Sequence, residues 1–136
     1  MFSTLKSPPL LRRPRPLSSH LGIYRPTMTM MMSLAHRISG LALYVGVLLL
    51  TWFLIAAAGD ASTFAVFSHF IRSFIGLIVL FIVTWALFHH LIGGLRYIVW
   101  HAGYGLDEPL RDQLAGATLI GGFALTVLVW FIGAVW

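Results

Sequence analysis

The chain lacks cysteine and has little charge for its length. No cysteine occurs among its 136 residues, which excludes disulfides, covalently attached c-type haem, and thiolate-bound iron–sulfur clusters or structural zinc within this chain. Any redox cofactor that the chain itself holds must therefore be bound by histidine. Charged residues make up only 10% of the sequence and hydrophobic residues 59%, with a mean hydropathy of +0.89. These values indicate a membrane protein.

Long apolar stretches account for this composition, and none of them contains Asp, Glu or Lys. Each is long enough to cross a hydrocarbon core of about 30 Å as a helix of about 20 residues. Because alternating short strands are absent, helices are the remaining way to satisfy the backbone in lipid. The sequence predicts an all-α membrane protein with three transmembrane helices, at about residues 30–58, 64–100 and 113–136.

Positive charge is concentrated before the first apolar stretch, which begins at about Ile38. The basic residues there are Lys6, Arg12, Arg13, Arg15, Arg25 and Arg37. Under the positive-inside rule this bias predicts a cytoplasmic N-terminus and a C-terminus on the opposite side. The net charge of +5 therefore reflects membrane topology, and we expect no nucleic-acid partner.

The first residues differ in composition from the rest of the chain. Five of the six prolines and no acidic residue fall within the first 26 positions, so a regular helix is not expected there. We divide the chain into a basic, Pro-rich cytoplasmic arm, residues 1–28, and a three-helix membrane anchor, residues 29–136. The arm has no amphipathic stretch of the kind found in transit peptides. This favours the bacterial inner membrane over the mitochondrial inner membrane.

Two adjacent histidines, His89 and His90, lie inside the second predicted span. An ionisable residue within a span is a candidate functional residue. Neighbours on a helix point about 100° apart, so the two cannot face the same cofactor. Gly94 lies four residues after His90, and Gly93 four after His89, so either face would have room for a flat ring system. Spacing alone leaves the choice open.

A six-coordinate b-type haem needs two axial ligands on opposite sides of the iron. The third predicted helix contains no histidine, so the second ligand would have to come from another chain. Alternatively, the histidines hydrogen-bond or pack against neighbouring helices without any cofactor.

A polar group, Ser33, His36 and Arg37, lies where the arm enters the first helix. Its spacing of three and four residues places all three on roughly one side. The hydroxyl and the guanidinium could hydrogen-bond a quinone carbonyl and stabilise the charge formed on reduction, and Arg37 could equally pair with a haem propionate. Alternatively, Ser33 caps the helix and Arg37 is an interfacial anchor.

Three motifs together resemble the cytochrome b556 membrane-anchor subunits of succinate dehydrogenase, or respiratory complex II. They are "RPLSSHLGIYR" at 15–25, "SLAHRISG" at 33–40 and "HLIGGLRYIVW" at 90–100. The resemblance covers about 90 residues in the expected order. It implies that His90 is an axial ligand of haem b, with Gly94 providing clearance, and that His89 is a packing residue.

The resemblance also implies roles for the polar group at the start of the first helix. Ser33 and Arg37 would contribute to a ubiquinone site, and His36 and Arg37 would lie near the haem propionates. The haem would be shared with a second, smaller hydrophobic anchor subunit that supplies the other axial histidine. Tyr97 and His101 stand where the family usually has histidine and aspartate, and we assign neither a role.

The function implied is that of a membrane-anchor subunit of succinate:ubiquinone oxidoreductase, which passes electrons from succinate to quinone. Succinate would be oxidised on a separate flavoprotein subunit, and electrons would arrive through an iron–sulfur subunit, so this chain would belong to the enzyme without binding succinate. Alternatives are the anchor of a quinol:fumarate reductase and a cofactor-free membrane scaffold or assembly protein.

Overall fold

The computed structural model describes residues 24–135, and within them the chain forms four α-helices. These are α1 (Met28–Ala58), α2 (Ala61–Arg72), α3 (Phe74–His101) and α4 (Glu108–Val135). The helices α1, α3 and α4 are long and apolar enough to cross a membrane, which confirms the all-α fold with three candidate spans. Residues 1–23 of the predicted arm, including His20, and the last residue, Trp136, lie outside the described residues.

Side-chain caps explain where the first two helices begin. The Thr27 hydroxyl accepts a hydrogen bond from the backbone N–H of Met30 at 3.4 Å, at the start of α1. Asp60 caps α2 by accepting from the backbone N–H of Thr63 at 2.8 Å, and the hydroxyls of Thr63 and Ser62 add two more bonds. These bonds favour the carboxylate and lower the pKa of Asp60 to about 2, with the backbone N–H of Thr63 the largest cause.

The single helix predicted over residues 64–100 is wrong, because the chain forms α2 and α3 with Ser73 between them. Ser73 has extended backbone angles, φ −67° and ψ 159°. Its hydroxyl donates to the carbonyl of Phe70 at 2.6 Å and accepts from the N–H of Gly76 at 3.1 Å. One serine thereby ends α2 and begins α3, and hydropathy does not detect such a cap. A Cβ at Gly76 would collide with the backbone of Phe70 and Ile71, so this tight corner requires glycine.

The helix α3 packs against both α1 and α4. Its buried face follows a spacing of three and four residues, and consists of Ala86, His89, Gly93 and Arg96. Small residues on this face let the helices approach closely. Most large apolar side chains of the three spans point outwards and are exposed in the isolated chain, as expected for surfaces that meet lipid or other membrane subunits.

Candidate functional site

His90 faces α1 and makes polar contacts with it. The Nδ1 atom of its ring lies 3.1 Å from the Ser39 hydroxyl and 3.2 Å from the backbone carbonyl oxygen of His36. Among residues 24–135 no hydrogen-bond partner lies against its other ring nitrogen, Nε2. Within the described chain, the ring is therefore held by polar contacts at Nδ1 alone.

The two glycines that follow the histidine pair have different surroundings. A Cβ added at Gly94 would meet no atom of the described chain within 4 Å. A Cβ added at Gly93 would lie 2.5 Å from Nδ1 of His36, because the His36 ring occupies that position. The space beside Gly94, on the same side of α3 as His90, is therefore open. Spacing allowed similar space beside Gly93, but the ring of His36 fills it.

His89 is enclosed between α3 and α4 and has no exposed surface. The Trp85 ring stacks on it with centroids 5.0 Å apart and planes 24° apart. On α4, a Cβ added at Gly122 would lie 3.0 Å from the Cα of His89. Neither ring nitrogen of His89 has a hydrogen-bond partner in the described part of the chain. The imidazole is sealed inside the bundle and cannot reach a ligand outside it.

The three polar residues at the start of α1 separate into two groups. Ser33 and Arg37 line a cavity of about 360 Å³, whose other lining residues are Tyr24, Pro26, Met30, Met31 and Leu34. His36 instead stacks on the ring of His90, with centroids 4.0 Å apart and planes 9° apart. We expected all three residues on one side of α1, but only Ser33 and Arg37 line the same cavity. His36 belongs with His90.

Arg96 is a residue whose setting the sequence did not predict. Although it is charged and lies in the last two turns of α3, Arg96 is only 3% exposed. The guanidinium carbon lies 5.0 Å from the Trp100 ring centroid and 5.7 Å from that of Tyr97, contacts that favour a cation. Within residues 24–135 its three nitrogens have no hydrogen-bond acceptor. The sequence feature that could have indicated its burial is its position three residues after Gly93, which places it on the same face of α3.

The two positions that depart from the family pattern lie at the same end of α3. The Tyr97 ring is tilted against that of His36, with centroids 5.3 Å apart. His101 is exposed, and its Nδ1 lies 3.2 Å from the backbone carbonyl of Tyr97. Tyr97 therefore borders the group formed by His36 and His90, whereas His101 does not.

Comparison with known proteins gives one consistent result. The family model described as succinate dehydrogenase/fumarate reductase transmembrane subunit matches residues 12–132. The succinate dehydrogenase cytochrome b556 subunit of Paracoccus denitrificans is 40% identical over 114 residues, covering 84% of this chain and 88% of the relative. The subunit of the same name from Rickettsia conorii is 34% identical over 116 residues, covering 85% and 90%. The succinate dehydrogenase cytochrome b560 subunit of Reclinomonas americana is 32% identical over 124 residues, covering 87% and 85%.

Proposed function

Because the chain belongs to the family of succinate dehydrogenase/fumarate reductase transmembrane subunits, we propose that it anchors a succinate:ubiquinone oxidoreductase in the bacterial inner membrane. In this proposal it shares haem b with a second anchor subunit and contributes to the ubiquinone-reduction site. A flavoprotein subunit oxidises succinate, and an iron–sulfur subunit on the cytoplasmic face delivers the electrons. This chain does not itself bind succinate.

The observation that carries the proposal is the setting of His90. Its Nδ1 is occupied by acceptors on α1, while its Nε2 has no partner among the described residues. The space beside Gly94 is open. An Nε2 without a partner, together with the open space beside Gly94, suits an axial haem ligand with room for the porphyrin. His90 would hold the iron and Gly94 would provide the clearance. When bound, haem b supplies a one-electron carrier.

The second axial ligand is assigned to the smaller anchor subunit. Two axial imidazoles approach the iron from opposite sides, but the His36 ring lies parallel to that of His90 at 4.0 Å. His89 is sealed between α3 and α4. The remaining described histidines, His69 on α2 and His101 at the end of α3, are exposed at helix ends. The neighbouring chain is therefore the source that the geometry favours.

Arg37 and His36 are proposed to meet the haem propionates. They are consecutive on α1, and His36 already contacts the ring of the proposed axial ligand. A guanidinium forms strong charge-assisted hydrogen bonds with a carboxylate. Arg37 is exposed on the surface of the isolated chain, so it is available to a propionate or to quinone.

The cavity lined by Ser33 and Arg37 is proposed as this chain's part of the ubiquinone site. Its volume of about 360 Å³ lies within the range usual for small-molecule sites. Met30, Met31 and Leu34 supply apolar walls for a quinone ring and tail, and Ser33 and Arg37 supply hydrogen-bond donors for its carbonyl oxygens. These donors would stabilise the negative charge that develops as the quinone is reduced.

The experiment that tests the haem site is a reduced-minus-oxidised spectrum of the purified complex carrying His90→Ala. We expect loss of the b-type signal, because in this proposal Nε2 of His90 is the ligand that this chain provides to the iron. His89→Leu is the matched control on the same helix, and it should keep the signal. A b-type signal that survives in His90→Ala would mean that a different side chain binds the iron, whereas absence of the signal from the unmodified complex would support a cofactor-free scaffold.

The quinone site is tested in the same complex with Arg37→Ala. We expect quinone reduction to fall roughly 10- to 150-fold, since a charged hydrogen bond contributes roughly 1.5–3 kcal/mol and each 1.4 kcal/mol is tenfold. Succinate oxidation with an artificial electron acceptor should be unchanged. Equal loss of both activities would contradict a quinone role and indicate a general assembly defect.

A further inference from the structure

Ser39 is a buried hydroxyl residue next to the proposed haem ligand. It has no exposed surface, and its Oγ donates to the backbone carbonyl of His36, one turn earlier on α1, at 2.7 Å. The same Oγ lies 3.1 Å from Nδ1 of His90 on α3. Nδ1 is also 3.2 Å from the His36 carbonyl oxygen. The three groups form a closed triangle between the two helices.

The hydrogens in this triangle can be assigned from chemistry alone. A carbonyl oxygen has no hydrogen, so it only accepts. The single hydroxyl hydrogen of Ser39 is used in its short bond to that carbonyl, so towards His90 the serine Oγ is also an acceptor. Both groups that face Nδ1 therefore require a hydrogen on Nδ1. In a neutral imidazole this leaves the lone pair on Nε2.

The orientation of the ring is fixed as well as its tautomer. The His36 ring covers one face of the His90 ring at 4.0 Å. A Cβ at Gly40, next to Ser39, would lie 3.3 Å from Cε1 of His90, which is tight for ordinary carbon contacts. The pair Ser39 and Gly40 thus provides an acceptor for the ring and the space in which the ring lies.

We propose that Ser39 is a positioning residue that holds His90 in the tautomer and orientation required for metal ligation through Nε2. This inference rests on the proposed function, because it assumes that His90 is the axial haem ligand. A hydrogen bond donated by Nδ1–H makes Nε2 a stronger electron-pair donor to a metal and restricts rotation of the ring. Ser39 therefore tunes the haem without touching it.

The test compares Ser39→Ala with Ser39→Thr in the intact complex. Alanine removes the Oγ acceptor, whereas threonine keeps it, and a helical threonine can retain a bond to the carbonyl one turn earlier. We expect haem affinity to fall roughly 10–100-fold in Ser39→Ala, as for other outer-shell partners. If the substitution weakens the binding of ferric haem more than that of ferrous haem, the midpoint potential should rise by about 59 mV for each tenfold difference between the two losses of affinity. Ser39→Thr should lie close to the unmodified complex.

Thr51→Ala is the matched control, because Thr51 lies on the same helix and its hydroxyl also donates to a backbone carbonyl, that of Val47 at 2.8 Å. It should change neither haem content nor potential. Unchanged potential and haem content in Ser39→Ala would overturn the inference. Equal shifts in Ser39→Ala and Ser39→Thr would also overturn it, because the site would then respond to volume and not to the hydroxyl.

The failure of this inference is distinguishable from failure of the proposed function. If His90→Ala keeps its haem, the proposed ligand is wrong and the positioning role falls with it. If His90→Ala loses its haem while Ser39→Ala matches the unmodified complex, His90 remains the ligand and only the role of Ser39 is rejected.

Discussion

The two faces of α3 that carry His90 and His89 have very different surroundings. His90 is half-buried against α1, with polar partners on one ring nitrogen and open space beside Gly94. His89, one residue earlier, is fully buried against α4, and neither of its ring nitrogens has a hydrogen-bond partner among residues 24–135. A rotation of about 100° along a helix thus gives two identical side chains different chemical possibilities.

The largest effect on this comparison is expected from Gly94→Leu, which fills the space beside His90. No described atom lies within 4 Å of a Cβ at this position, so the chain itself accommodates the new side chain. A bound porphyrin would collide with the leucine side chain. Overpacking costs about 1–3 kcal/mol, and each 1.4 kcal/mol lowers haem affinity roughly tenfold. Haem content per complex measures the effect.

Gly133→Leu is the control for this substitution, because Gly133 on α4 also has no described atom within 4 Å of an added Cβ. It should leave haem content unchanged. Equal haem content in the Gly94→Leu and Gly133→Leu complexes would mean that the open face beside His90 is not where the porphyrin lies.

A smaller effect is expected on the opposite face from Gly122→Ala. The new Cβ would lie 3.0 Å from the Cα of His89, and a backbone atom can move only if α3 and α4 separate slightly. We expect a loss of about 1–3 kcal/mol of stability, measured by thermal or detergent unfolding of the complex. Gly116→Ala on the same helix is the control, because its new Cβ would meet no described atom within 4 Å. Both variants gain the same helix propensity by replacing glycine with alanine. If the two variants unfold alike, the α3–α4 contact is looser than the structure describes.

Helical spacing predicted one half of this comparison and left the other half open, so that only the family resemblance chose between the two histidines. The three spans follow from length and hydropathy, and the helical angle predicts that the two histidines face different ways. Which glycine is open depends on where the His36 ring lies, and that is set by packing between α1 and α3. The same limit applies to Arg96, because its burial depends on the ring of Trp100 and on its neighbours in space.

The break at Ser73 was missed for a different reason. A hydropathy pattern detects long apolar stretches, and the predicted span 64–100 joined the residues before and after Ser73 into one helix. The hydroxyl of Ser73 donates to the carbonyl of Phe70 in α2 and accepts from the N–H of Gly76 in α3, and this local chemistry decides where one helix stops. Ser39 presents the same difficulty, since its role depends on a contact with a residue 51 positions away.

The smallest effect is expected from His89→Leu, which tests whether the sealed histidine has any function. Its ring nitrogens lack partners among residues 24–135, and a buried polar group without a partner costs about 1–3 kcal/mol. Replacing it with an apolar side chain of similar size removes that cost, so stability should be unchanged or higher by about 1 kcal/mol. Unfolding of the complex measures this, with Gly122→Ala as the destabilised reference. A marked loss of stability would mean that the His89 nitrogens have hydrogen-bond partners in the assembled complex. Both histidines would then make polar contacts, and the two faces of α3 would differ only in which partner each histidine meets.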